Sequence, residues 1–153
     1  TGALTRIDIR GRNGVTLRDQ WRDGPLSYLG LMVAGFPNLF TVTGPGSPSI
    51  LTNVVMSIEQ HVEWIADCIA YLDSQQISTI EADASAEREW VDHVSELASQ
   101  TLHVEANSWY MGANVPGKPR VFLPYIGGLG TYTQICNDIA ADGYRGFVLD
   151  RGT

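Results

Sequence analysis

Two stretches of this chain hold the residue types that binding chemistry needs. The first is Gly44-Pro45-Gly46-Ser47-Pro48-Ser49. It follows Phe40-Thr41-Val42-Thr43, a short apolar and β-branched run that reads as a buried strand. It precedes an amphipathic segment from Thr52 to Leu72 that reads as a helix. Strand, glycine-rich turn and helix start together offer backbone N–H groups and the positive helix end to an anion or an electron-rich ring. Gly44 and Gly46 lack Cβ, which lets a flat ligand come close to the backbone. Pro45 and Pro48 stiffen the turn and remove two donors. A plain strand-to-helix connection is the other reading of the same residues. The second stretch runs from Asn107 to Arg120 and has no helical or strand period. It carries Trp109-Tyr110, several glycines and prolines, Lys118 and Arg120. Aperiodic loops of this length in a compact domain are either functional or disordered. The adjacent aromatics favour function, because an exposed tryptophan needs something to pack on.

The flanking elements must position these loops. Ile7 to Arg10 alternates and predicts a strand, and Gly11 to Gly14 a turn. Thr16 to Arg22 predicts one or two helical turns with Leu17 and Trp21 on one face, stopped by Asp23-Gly24-Pro25. Tyr28 to Val33 reads as a second apolar strand, and Gly35-Phe36-Pro37-Asn38 as a tight turn into the strand before the glycine loop. Ser49 or Thr52 is placed to cap the long helix. Its apolar face is read as Val54, Val55, Ile58, Val62, Ile65, Ile69 and Leu72, with Glu59, Glu63 and Asp67 on the polar side. His61 lacks a second metal ligand at helical spacing and reads as a solvated or hydrogen-bonded histidine. Ile77 to Glu81 is extended, and Asp83 or Ser85 caps a further helix carrying Trp90, Val94, Leu97 and Leu102. Its acidic residues, including Glu87 and Glu89, read as a solvated face or as first-turn partners of the helix dipole. Val121 to Ile126 reads as a short strand. Thr131 or Thr133 starts a last helix with Ile135, Cys136 and Ile139 inward, ended by Gly143.

Composition sets the class. At 153 residues the chain has the size of one domain, and 44% hydrophobic with 18% charged residues predicts a packed core. The formal charge of −7 and a single lysine, Lys118, argue against a nucleic-acid footprint and against a polybasic membrane anchor. No apolar run approaches the roughly 20 residues that span a bilayer. Cys68 and Cys136 lie in predicted helices and read as free buried thiols of a reducing, cytoplasmic setting. Thr1-Gly2-Ala3-Leu4 reads as the middle of a longer chain, with no signal peptide. There is no Gly-x-Gly-x-x-Gly; Gly127-Gly128-Leu129-Gly130 has the wrong spacing. No Cys-x-x-Cys, P-loop or Ser-His-Asp signature occurs, and no metal site is read.

Three runs carry a resemblance. They are Gly35-Phe36-Pro37-Asn38-Leu39-Phe40 leading into the glycine loop, Ser57-Ile58-Glu59-Gln60-His61-Val62-Glu63-Trp64, and Ser108-Trp109-Tyr110-Met111-Gly112-Ala113-Asn114-Val115-Pro116-Gly117-Lys118-Pro119-Arg120. In order and spacing they resemble the type I Baeyer–Villiger monooxygenases, and the glycine loop and the Asn114–Arg120 run look closer to the phenylacetone branch than to the cyclohexanone branch. The resemblance covers essentially the whole chain. It implies an enzyme holding FAD and NADP(H), in which reduced flavin activates O₂ and a ketone becomes an ester or lactone. It implies an α/β fold, the C-terminal part of a split Rossmann-type FAD-binding domain with short strands, two or three long helices and a long aromatic loop. The parts would be residues 1–74 with strands, glycine loop and long helix, 75–102 with the second helix, 103–120 as a mobile cofactor loop, and 121–153 as terminal strand and helix. The family's two Gly-x-Gly-x-x-Gly fingerprints, its signature sequence and its catalytic arginine are missing from this chain, so it would need the remaining N-terminal part of the same enzyme. No catalytic residue is assigned here.

Residue roles follow from the same resemblance. Gly44, Pro45, Gly46, Ser47 and Pro48 would lie at the isoalloxazine edge. Ser49, Ile50, Leu51 and Thr52 match a segment beside the substrate pocket, and Val54 and Leu123 match pocket-lining positions, with ordinary core packing as the other reading. Trp109 matches the tryptophan of a loop that closes over NADP, while Lys118 and Arg120 would anchor that loop or meet acidic neighbours rather than phosphate. Oxidation of sulfur or nitrogen by the same flavin chemistry is an alternative activity, and a non-catalytic fragment that binds no flavin is an alternative of another class.

Overall fold

The computed structural model describes residues 2–48, 52–100 and 124–152. Two single 3₁₀ turns, Leu4–Arg6 and Arg12–Gly14, lead to a one-turn helix α1, Leu17–Gln20. A loop-rich segment then runs to the glycine loop. Three long helices follow: α2, Val54–Ser74; α3, Ala84–Ser99; and α4, Leu129–Ala141. Strand β1, Thr79–Ala82, pairs antiparallel with β2, Phe147–Asp150, in the register Ile80 opposite Leu149 and Ala82 opposite Phe147. The chain is thus a small α/β unit.

Local chemistry explains the element ends. Asn53 caps α2 by accepting from the Val55 N–H at 3.0 Å. This corrects the expected caps Ser49 and Thr52: Thr52 lies outside the helix, and Ser49 is not among the described residues. Asp83 caps α3 as expected, accepting from Ser85 N and Ala86 N. A bond from the Ser85 hydroxyl, together with those two N–H groups, holds the Asp83 carboxyl below its ordinary range. α4 begins one residue after Gly128, two residues ahead of Thr131. Asn38, in the left-handed region at φ 58°, meets β1 side-on. It donates to Ser78 O from Nδ2, donates to Ile80 O from its backbone and accepts from Ile80 N.

The expected strands at 7–10, 28–33 and 40–43 do not form. Isolated bridges replace them, Arg10 with Thr16, Tyr28 with Met32, and Met32 with Phe40. Of the expected strand at 121–126, the described part holds one parallel bridge, Tyr125 with Pro48. The chain reverses at Leu29 and Gly30, with φ 60° and 76°, so that Tyr28 N–H donates to Met32 O at 2.8 Å. A left-handed pair cannot continue a ladder. Leu29, Leu31, Met32 and Val33 are nonetheless fully buried. A short apolar run reports burial, and burial alone does not decide strand from packed loop.

The core lies between α2, α3, α4 and the Tyr28–Ala34 turn, with Trp64, Cys68, Trp90, Val94, Tyr132 and Cys136 at its centre. Trp64 donates its indole N–H to Cys136 O at 3.0 Å, joining α2 to α4. Both cysteines are free and buried, and burial pushes the Cys68 thiol up to about 11 and the Cys136 thiol up to about 12. A smaller cluster holds Leu17, Trp21, Val33 and Phe36, so the expected Leu17–Trp21 face is the buried one.

α2 is the main departure. The helix forms where expected, but it buries Ser57, His61, Trp64, Cys68 and Leu72. Of the expected apolar face, Leu72 is buried and Ile65 partly so, whereas Val55, Ile58, Val62 and Ile69 are exposed. The inward row also keeps a helical period; its histidine and tryptophan meet α4, and its cysteine meets Tyr144 beyond the end of α4.

Candidate functional site

The glycine loop is held by its carbonyl groups. Gly44 O accepts from Ser47 N at 3.1 Å and from the Ser47 hydroxyl at 2.7 Å. Pro45 O accepts from the buried Ser27 hydroxyl at 2.5 Å, and Gly46 O from Trp90 Nε1 at 3.1 Å. Ser47 O accepts from Tyr125 N at 2.9 Å, and Pro48 O from the Ser57 hydroxyl at 3.2 Å. Every carbonyl from Gly44 to Pro48 is therefore engaged by the protein itself. The Gly46 N–H has no partner among the described residues. The loop is a preorganised wall that needs little ordering when a ligand meets it.

Its entry is fixed just as closely. Gly44 N–H donates to Gly30 O at 3.1 Å, which also accepts the Thr41 hydroxyl at 2.9 Å. Thr43, at φ 52°, donates its N–H to Nδ1 of the fully buried His61 at 2.9 Å. Tyr132 Oη donates to Leu29 O at 2.6 Å, so it accepts at 2.8 Å from Nε2–H of His61. Both ring nitrogens are used, and the ring is the neutral Nε2–H tautomer. Burial lowers the His61 pKa to about 4. A ring locked in this way positions backbone; it does not move protons near neutral pH.

A cavity of about 520 Å³ opens beside the loop, walled by Phe40, Val42, Gly44, Pro45, Val54 and Pro124, among others. Its described lining carries no ionisable side chain, and Thr41, Thr43 and Ser47 supply its hydroxyls. The volume lies in the range of small-molecule sites. A wall of this composition has the chemistry to hold a largely apolar group and keep water from it. Acid–base or redox chemistry has to come from a group brought to it. Among the described residues, no three His, Cys, Asp or Glu side chains are grouped to hold a metal ion.

Gly44, Pro45, Ser47 and Val54 line this cavity. Gly46 and Pro48 do not; Pro48 is buried behind the loop. The protein's own packing already leaves no room for a Cβ at either glycine. A Cβ on Gly44 would meet Gly30 O and Thr41 Oγ1, each at 2.5 Å. A Cβ on Gly46, at φ +83°, would meet Trp90 Nε1 at 2.8 Å. Val54 is 49% exposed and is a rim residue, not core. Thr52 is half-buried just ahead of α2 and does not line the cavity. Ser49, Ile50, Leu51, Trp109 and Leu123 lie outside the described residues, as does the whole 103–120 loop. Sequence reasoning missed His61, Ser27 and Trp90 as the residues that hold the loop. The available signal was the second helical row on α2, Ser57–His61–Trp64–Cys68.

The chain is 48% identical over 150 residues to an acetone monooxygenase (methyl acetate-forming) from Gordonia sp. (strain TY-5), covering 97% of this chain and 28% of that protein. It is 41% identical over 150 residues to a Baeyer–Villiger monooxygenase from Pseudooceanicola batsensis, covering 98% of this chain and 27% of that protein. This chain is homologous to a segment of the Baeyer–Villiger monooxygenases. A crystal structure of cyclohexanone monooxygenase from Rhodococcus sp. Phi1 bound to NADP⁺ superposes with a TM-score of 0.94 at 46% identity, over 99% of this chain and 28% of that one. A crystal structure of OTEMO in complex with FAD and NADP superposes with a TM-score of 0.89 at 38% identity, over 97% of this chain and 27% of that one. No protein-family model matches the chain. The chain spans little more than a quarter of the length of these Baeyer–Villiger relatives. Among the described residues no helix is long and apolar enough to cross a membrane.

Proposed function

We propose that the protein to which this chain belongs is a cytoplasmic flavin-dependent Baeyer–Villiger monooxygenase. It takes a ketone, O₂, NADPH and a proton to an ester or lactone, NADP⁺ and water. The observation that carries this reading is the apolar cavity beside a glycine loop whose carbonyls are all engaged, within a segment homologous to such enzymes. The described lining suits a flavin ring: it is largely apolar, includes Gly44 and Pro45, and carries no ionisable side chain. When bound, FAD would supply the oxygen activation and NADPH the reducing equivalents. This chain's residues would hold the ring edge at Gly44, Pro45 and Ser47 and keep water from it. They would also border the ketone site with Val54 and the segment Ser49-Ile50-Leu51-Thr52, with Leu123 as a further lining residue.

The finer fold reading belongs to the same proposal. The chain would be the C-terminal, returning part of a split Rossmann-type FAD domain, divided at 1–74, 75–102, 103–120 and 121–153. Trp109, on the third of these, would pack on NADP, and the likeness to the phenylacetone branch bears on ketone choice. The test is the full-length protein. A flavin absorption band, ketone-dependent NADPH oxidation and an ester carrying one atom of ¹⁸O₂ support the reading. Oxidation of sulfides or amines without ester formation selects the alternative activity, and absence of flavin from the full-length protein overturns the proposal.

A further inference from the structure

On α2 the residues Val55, Ile58, Val62, Ile65, Ile69 and Leu72 are spaced three, four, three, four and three apart. That is the spacing of a seam along which one rigid element packs against another. The inward row of the helix is Ser57, His61, Trp64, Cys68 and Leu72; it meets the seam only at Leu72 and is already occupied by the core. The seam is bare at Val55, 59% exposed, Ile58, 38%, Val62, 52%, and Ile69, 52%. From Val55 to Ile69 it runs about 21 Å along the helix axis. Single exposed aliphatic residues are normal, but four along one helix face, with the partly buried Ile65 between them, make a contact surface.

We infer that this seam is the docking face for the part of the same polypeptide that lies outside these 153 residues. The inference rests on the reading that the chain is a segment of a longer enzyme. Its relatives are more than three times as long, so ample chain exists to cover the face. The seam starts at Val55, and the residue before it, Val54, walls the cavity beside the glycine loop. A segment that docks on α2 therefore passes beside that cavity. A second copy of this chain fits less well. The seam is flanked by the exposed carboxylates Glu59, Glu63 and Asp67 on a chain of net charge −7, and self-pairing would bring like charges together. A lipid surface fits less well for the same reason, since membrane-bound helices flank their apolar face with Lys and Arg. The 103–120 stretch has no matching aliphatic row in its sequence.

Cysteine protection in the full-length protein tests this. Val62→Cys and Ile69→Cys probe the seam, and Glu63→Cys probes the polar face as control. Each is treated with a maleimide under native conditions and read by peptide mass spectrometry. The buried Cys68 reports folding in the same sample. The expected result is labelling at positions 62 and 69 at least about ten-fold slower than at 63, as for sites that open only by local unfolding. That protection should persist on dilution and in a variant whose 103–120 stretch is replaced by a Gly-Ser linker. Labelling at 62 and 69 as fast as at 63 overturns the inference. Protection lost on dilution assigns the seam to a second copy, and protection lost in the linker variant assigns it to residues 103–120; either overturns it. Should rapid Cys68 labelling show that Val62→Cys is misfolded, Ile58→Cys reads the same face. No flavin or turnover enters the measurement, so its failure is distinct from failure of the activity assay.

Discussion

Thr43 gives its backbone N–H to Nδ1 of His61, 18 residues away and at the heart of the core, at 2.9 Å. That bond ties the residue preceding the glycine loop to α2, and through Tyr132 to α4 and the Leu29 turn. The loop therefore takes its position from the interior of the domain.

The first prediction is a pH dependence. The folded His61 pKa lies at about 4, below its ordinary 6.5, so the unfolded chain binds more protons between those values. The neutral ring's contribution is whole above pH 6.5 and is lost as the pH falls from 6.5 toward 4, by up to about 3 kcal/mol. Burial raises the Glu87 pKa, which acts with the opposite sign. Comparison with His61→Gln isolates the histidine. Melting curves from pH 4 to 7.5 should fall more steeply toward acid in the wild type, and parallel curves would contradict the assignment.

Gly46→Ala should destabilise the protein before any ligand is bound. The new Cβ meets Trp90 Nε1 at 2.8 Å, at a φ of +83° that side chains rarely adopt. A cost of about 2–3 kcal/mol follows from left-handed strain and overpacking together. The melting temperature of the flavin-free protein checks this. An unchanged value with weakened flavin retention would return Gly46 to the role of ligand contact.

Glu87 is 3% exposed and accepts from the Ala34 N–H at 3.0 Å. Glu87→Leu leaves that buried donor unpaired and should cost about 1–3 kcal/mol. Glu87→Gln keeps an acceptor in place and should cost less. Equal losses in chemical denaturation of the two variants would show that packing, not the hydrogen bond, is what matters there.

Val54 stands at the cavity rim, half exposed. Val54→Phe should change stability by no more than about 0.5 kcal/mol, as surface changes do. It narrows the cavity, so the ranking of ketones of different size should shift in the full-length enzyme. A loss of stability with an unchanged ranking would place Val54 in the core after all.

Trp109→Ala tests the proposed NADP loop. Flavin content should stay unchanged while the NADPH requirement and the hydrogen peroxide released per NADPH rise, because a closed, water-free site forms less often. A core tryptophan would instead cost about 3–5 kcal/mol and leave coupling intact. Peroxide yield and melting temperature of this one variant separate the two.

The sequence by itself determined the elements whose signals are local. α2, α3 and α4 follow from helical periodicity, Asp83 from capping chemistry, and the glycine loop and the Leu17–Trp21 face from residue type. The family likeness was legible for the same reason, since it rests on ordered runs of residues. Tertiary structure decided what depends on distant partners. Tyr28 to Val33 and Phe40 to Thr43 became packed turns because Leu29, Gly30 and Thr43 take left-handed backbone, which no apolar run announces. α2 turned a histidine, a tryptophan and a cysteine inward and left its aliphatic seam outside. Two helical rows competed for one core, and the choice lay with α4, which offered Tyr132 to His61 and Cys136 O to Trp64. Periodicity measures how apolar a face is; it carries no information about which surface waits opposite.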